Sequence, residues 1–216
     1  MSLRSRKSNQ LQWLTRGLIV VCGIIWAATA IAPYDLEAWV LEQIAAVIGV
    51  GLILWARIYV SFSASARIGM ASLFILHAIG THYTYSLTPY DEFFRDWLDI
   101  SINDGFGWQR NHYDRFVHVA FGLTTALPFY ESLRTMLRIS RGAAWFLSVN
   151  LVISASALYE LMEWLAAEVF SADAGTLYLG SQGDTWDAQW DIALAIFGAA
   201  IICACSLVAG KLRKLT

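Results

Sequence analysis

The 216 residues suit one domain, but 57% hydrophobic against 15% charged residues excludes an ordinary soluble one, which carries about a quarter charged. A net charge of −2 excludes the basic surface that nucleic-acid binding needs. Cys22, Cys203 and Cys205 all lie in apolar runs with no Cys-x-x-Cys pair, which excludes a disulfide framework and reads as buried thiols.

In chain order, the basic stretch Arg4, Arg6, Lys7 and Arg16 precedes a first apolar run, Gly17–Pro33. Ala28-Thr29-Ala30 resembles a signal-peptide cleavage site, yet the chain starts at Met1 and the run is read as a retained first helix. Further runs follow at Ala38–Ala56, Ile68–Leu87, Phe116–Tyr130 continuing to Leu137, Ala143–Ala167 and Ile192–Gly210. Each is close to the roughly 20 helical residues that cross a bilayer core. The expectation is an all-α bundle of six transmembrane helices forming one domain, with residues 1–16 as a basic cytoplasmic N-terminus. Pro128 is expected to kink the fourth of them.

Charge gives the orientation. With both termini inside, twelve of the fifteen Lys and Arg residues fall in cytoplasmic segments, and only Arg95, Arg110 and Arg115 lie outside. The outer connections at residues 89–113 and 171–190 are long, as functional loops tend to be. In the first, Asp91 to Leu98 spaces its aromatics for one face of an interfacial helix. The second holds the glycine-rich stretch from Gly175 to Gly183. Trp108, Tyr113, Trp164, Trp186 and Trp190 read as an aromatic belt.

The informative residues are the ionisable ones inside the membrane. Asp114 and His118 are four apart and share a face of the fourth helix. Glu160 and Glu163 lie near the outer end of the fifth, while Asp184, Asp187 and Asp191 form a stripe leading into the sixth. His82 is placed toward the outer end of the third. A carboxylate near a helix centre costs about 2.5–3.5 kcal/mol, so five or six left bare would cost on the order of 10–20 kcal/mol. Protons, arginines or a cation must compensate.

Three readings compete: a structural network on Arg110 and Arg115, a metal site, and a proton or ion pathway. Acids are scarce in the inner half, where Glu131 is the clear candidate, which weighs against a pathway. Carboxylates with imidazoles suit a divalent cation: Mg²⁺, Mn²⁺ or Ca²⁺ if carboxylates dominate, Zn²⁺ if His82 and His118 both ligate. Glu42 reads as a solvated residue near the outer turn and His77 as a hydrogen-bonded core residue. His112 reads as loop surface. No phosphate loop, His-Glu-x-x-His or Gly-x-Ser-x-Gly motif occurs.

Four stretches resemble the YjdF-like family of bacterial inner-membrane proteins. They are His82-Tyr83-Thr84-Tyr85, Arg110 to Arg115 with His118, Tyr159 to Trp164, and Gly180 to Asp191 with Asp184, Trp186, Asp187 and Trp190. The resemblance implies a multi-pass plasma-membrane protein and carries no established reaction. A more distant similarity is to VanZ-like membrane proteins: Asp114 with His118, Glu160, and Asp184 with Asp187 fit that pattern, whereas Arg115, Glu163 and Asp191 depart from it. It hints at envelope substrates.

The expectation drawn is a metal-dependent hydrolase or transferase acting on a lipid or envelope intermediate at the outer leaflet. Asp114, His118, Glu160, Asp184, Asp187 and Asp191 would hold the cation, and Glu163 would act as general base on a water it holds. Arg110 and Arg115 would meet a substrate phosphate, with His82 and Tyr83 also on the substrate side. The alternatives are an ion-coupled small-molecule transporter and a non-catalytic membrane scaffold.

Overall fold

The computed structural model describes residues 3–169 and 181–212. Their helices are α1 (Leu3–Thr29), α2 (Leu36–Ala56), α3 (Ala64–His82), α4 (Tyr90–Leu98), α5 (Ile102–Phe106), α6 (Tyr113–Met136), α7 (Arg141–Val169) and α8 (Asp187–Leu212). Five are long and apolar enough to cross a membrane: Asn9–Thr29 within α1, then α2, α3, α7 and Asp187–Ala209 within α8. The chain is an all-α membrane bundle. α6 is also long, 24 residues or about 36 Å, but it carries Asp114, Arg115, His118, Glu131 and Arg134. It lies centrally, packed on α8, α7 and α3, while α1 and α2 lean on α3.

Local chemistry sets the helix ends. Asp35 accepts the Ala38 N–H at 2.8 Å to start α2, and Ser63 accepts the Ala66 N–H at 3.2 Å to start α3. α3 stops at His82, short of the expected Leu87. There the Tyr85 N–H turns back onto the Gly80 carbonyl at 2.7 Å, with Thr84 and Tyr85 at φ of 52° and 55°. The Tyr85 ring lies so close over Gly80 that a Cβ there would sit 2.8 Å from it, which only glycine avoids. α1 begins at Leu3, so the basic stretch is helical and continuous with the first apolar run. α6 runs on through Pro128, which cannot donate to the Thr124 carbonyl. α3 approaches closely at that point, since a Cβ on Gly69 would lie 3.2 Å from the Thr124 oxygen.

The tightest crossing joins α6 to α8. A Cβ on Gly122 would lie 2.0 Å from the Ala195 oxygen, and one on Gly198 would lie 2.2 Å from the Val119 oxygen. Small residues let the two backbones touch, the device that holds helices together where lipid removes any hydrophobic drive between them. Ala126, Trp145, Val152, Ala195 and Ala199 form the core around it, with Trp145 stacked on Tyr130 at 4.3 Å. Large apolar side chains such as Ile24, Val47, Phe146, Leu158 and Phe197 are exposed on the outside, as a lipid-facing surface requires.

The bundle has two unlike ends. At one, Glu131 accepts the Ser63 N–H, Arg67 bonds Thr15, and Arg141 bonds the Ser206 carbonyl. At the other, His82 meets the Thr29 carbonyl, Glu42 meets Tyr159 and Arg110 meets Asp187.

Candidate functional site

The acidic end is assembled from four helices. The α6–α8 crossing lies just below it: His118 is one turn from Gly122, and Asp191 one turn from Ala195. That crossing brings Asp114, His118 and Asp191 together. One ligand-type atom from each lies within 4.8 Å of the other two, and all three residues are buried. From α7, Glu160 Oε1 stands 3.4 Å from His118 Nε2, while Asp114 Oδ1 stands 3.6 Å from the same nitrogen. Both separations exceed a normal hydrogen bond of about 2.7–3.2 Å. His118 Nδ1, Glu160 Oε1, Asp191 Oδ1 and, one turn below Glu160, Ser156 Oγ are buried without a hydrogen-bond partner.

Glu163 is buried on the same helix, within electrostatic reach of Glu160, Asp114, Glu42 and Asp191. Among the described residues no Lys or Arg forms an ion pair with any of these five acids. Buried carboxylates without counter-charge are costly, so this layer must hold protons or a cation.

Above it the arginines are already engaged. Arg110 Nη2 donates to Asp187 Oδ1 at 2.8 Å and Arg110 Nη1 lies 3.5 Å from Asp184. Arg115 bonds Asp184, lies 3.4 Å from Asp187, and its guanidinium lies 5.7 Å from the Trp190 ring centre. Asn111 and Gln182 exchange two hydrogen bonds of 3.0 and 2.9 Å, fastening the segment before α6 to the segment before α8. Thus Asp184 and Asp187, expected among the metal ligands, face arginines, and the arginines expected to meet a phosphate face aspartates.

The loop that carries Arg110 is built as one piece. Buried Asp91 accepts from Arg95 and from the Asn103 N–H, each at 2.9 Å, and from Ser101 at 3.1 Å. Tyr90 bonds Asn103 and accepts the His112 N–H. α4 and α5 expose Phe93, Trp97, Leu98 and Phe106.

Residues 14–211 match the family described as predicted membrane protein (DUF2238). The chain is also 35% identical, over 182 residues, to the inner membrane protein YjdF of Escherichia coli (strain K12), covering 82% of this chain and 80% of that one. This chain belongs to the DUF2238 membrane protein family. No solved structure matches it.

In this family member, some expected site residues stand elsewhere. His82 Nδ1 lies 2.8 Å from the Thr29 carbonyl, which can only accept, so that nitrogen carries the proton. Tyr83 packs edge-on against His82 at 4.6 Å. Both serve the junction of α1 and α3. His77 is hydrogen-bonded in the core, its Nδ1 2.6 Å from the Tyr85 hydroxyl. The part of the glycine-rich stretch at residues 175–180 lies outside the described residues.

Two members of the layer were not expected. Glu42, read as solvated, is 3% exposed, and Tyr159 donates to it at 2.7 Å while packing edge-on against His118. The available signal was a carboxylate inside an otherwise apolar helix.

Outside the membrane segments, the cap is tuned against acid. Burial, then the Arg115 and Arg110 charges, push the His112 imidazole down to about 4 from 6.5. The Trp186 N–H, ahead of Arg115, holds Asp184 below the usual carboxylate range, and the Asn103 N–H does the same for Asp91. The folded cap refuses a proton on His112 that the unfolded chain accepts, so stability falls from about pH 6.5 down to about 4. The depressed aspartates add stability that is present above their ordinary value and lost as the pH falls through their folded values. Both effects have the same sign. Protection factors at residues 108–112, exchange rates corrected for the base-catalysed intrinsic rate, should fall between pH 7 and about 4, and His112→Gln should remove the upper part of that change. Protection factors that ignore pH, or whose pH dependence His112→Gln leaves as it was, would contradict this assignment.

Proposed function

We propose that the buried layer binds a divalent cation through Asp114, His118 and Asp191, with Glu160 completing the set. On this reading the protein is a metal-dependent hydrolase or transferase acting on a lipid or envelope intermediate. The observation that carries it is the meeting of three buried ligand groups from two helices, with Asp191 Oδ1 and Glu160 Oε1 unsatisfied. Two ligands of one ion stand at most twice the metal–ligand distance apart, about 4.2 Å for Mg²⁺ or Zn²⁺ and about 5 Å for Ca²⁺. A spread within 4.8 Å fits that limit with little adjustment. Carboxylates with a single imidazole favour a hard ion. The cation would supply Lewis acidity; Glu163, in the same buried layer, would take the proton of an attacking water. Asp184 and Asp187 would then stand outside the ligand set, holding Arg110 and Arg115 over the layer.

The orientation belongs to the same reading: α6 spans the membrane as well, making six spans, both termini are cytoplasmic, and the acidic end faces the periplasm or cell exterior. It is supported by the crowding of Arg57, Arg67, Arg134, Arg138 and Arg141 at the opposite end. Membrane lipid is then the nearest source of substrate, and the apolar face of α4 and α5 would lie at its headgroups.

Element analysis of the purified chain tests the reading. One divalent ion per chain is expected, with affinity lowered at least about tenfold in Asp191→Asn and in His118→Ala. Glu163→Gln should keep the metal. Protein that carries no divalent ion, or the same amount after Asp191→Asn, would sink the proposal.

A further inference from the structure

A cleft lies toward the end of the bundle opposite the acids. It runs between α1, α2 and α3, measures about 660 Å³ and is walled by Leu18, Ile19, Ile53, Leu54, Met70 and Phe74. Arg57 and Arg67 line the same cleft, as does Thr15. Arg67 is half-buried; its Nε donates to the Phe62 carbonyl at 2.9 Å and its Nη1 to the Thr15 hydroxyl. Arg57 is exposed. Among the described residues neither arginine is ion-paired. Each lies in the other's field, and the acid within reach of Arg67, Glu131, is committed to the Ser63 N–H at 2.9 Å.

We propose that this cleft binds an anionic phospholipid of the surrounding bilayer, its acyl chain along α1, α2 and α3 and its phosphate on Arg57 and Arg67. The walls are apolar and face lipid, so water gains nothing there and a hydrocarbon chain does. Two guanidiniums without a direct ion pair at a membrane edge are costly singly and repel each other, and the Glu131 carboxylate offsets only part of this at Arg67. A phosphate between them removes both penalties through charge-assisted hydrogen bonds, for which the planar guanidinium is shaped. A zwitterionic lipid would fill the cleft and bring a phosphate, but its ammonium would offset that charge and be repelled by the arginines. A free anion would meet the charges and leave the cleft unfilled. The proposal does not depend on the metal layer, which lies at the other end of the bundle on α6, α7 and α8.

The test is native mass spectrometry of the full-length chain titrated with phosphatidylglycerol, with phosphatidylcholine of the same acyl chains, and with inorganic phosphate. Phosphatidylglycerol should be retained over phosphatidylcholine, and Arg57→Gln should cut that preference roughly fivefold while Arg57→Lys keeps most of it. The Arg57 N–H caps α2 on the Ile53 carbonyl whatever the side chain, and among the described residues the exposed guanidinium forms no ion pair, so its variants should stay folded, which thermal melting checks. Gly23 lines the cleft, and a Cβ there meets nothing within 4 Å. Gly23→Phe should therefore lower retention of both lipids without lowering the melting temperature. Equal retention of the two lipids would overturn the proposal, as would unchanged preference in Arg57→Gln. Inorganic phosphate that displaces the lipid fully would overturn it too, leaving a headgroup-sized anion site.

Discussion

Gly198→Leu should leave almost no folded protein in detergent. A Cβ at that position would lie 2.2 Å from the Val119 oxygen and 2.9 Å from the Leu123 nitrogen, both backbone atoms of α6. Backbone cannot rotate aside as a side chain does, so α6 and α8 would have to part by about 1 Å or more. Ala195 and Ala199, each fully buried, would lose their contacts with α6 together with the surrounding core. Overpacking alone costs about 1–3 kcal/mol, and a clash against backbone lies at or above the top of that range. Gly122→Val should behave alike, because its Cβ would meet the Ala195 oxygen at 2.0 Å. Gly49→Leu is the control, since a Cβ there has open space. Size-exclusion profiles and melting temperatures of the three decide it. If Gly198→Leu melts with Gly49→Leu, the helices are not packed this closely.

The second large effect is expected from Arg110→Gln combined with Arg115→Gln. Asp187, 8% exposed, would lose both partners beside a layer already crowded with carboxyl groups. Removing the counter-charges of a largely buried carboxylate costs about 2 kcal/mol after allowance for its partial solvation. Asp184 is more exposed, and its share is screened. Arg110→Gln alone should be milder, because Arg115 still reaches both aspartates. Adding Asp184→Asn and Asp187→Asn should restore most of the melting temperature, since no orphaned charge is left. If the fourfold variant melts no higher than the double one, the arginines act through something other than these aspartates.

Much of the site was legible because ionisable groups are scarce in membrane helices. The spacing of four between Asp114 and His118 placed them on one face, and the structure brings Asp191 to them. What spacing cannot encode is which helices are neighbours. Glu42 belongs to the layer only because α2 turns it toward Tyr159, and no periodicity within α2 reveals that. The pairing of Arg110 and Arg115 with Asp184 and Asp187 depends on Asn111 and Gln182 fastening two segments 71 residues apart. The small residues at Gly122, Ala195, Gly198 and Ala199 carried a readable signal of close helix approach that charge-centred reasoning passed over. At the end of α3, hydropathy carried the run past His82, while one glycine and one tyrosine ring stop it there.

The central place of α6 bears on how the chain is made. A segment carrying Asp114, Arg115, His118 and Glu131 partitions poorly into lipid alone, because each deeply placed charge costs about 2.5–3.5 kcal/mol. α3, which shelters one side of it, is synthesised earlier; α7 and α8, which shelter the rest, are synthesised later. If α6 is the further span proposed above, its insertion is bound to the arrival of the last helix, and biogenesis ends in a cooperative assembly step rather than in a sequence of independent integrations.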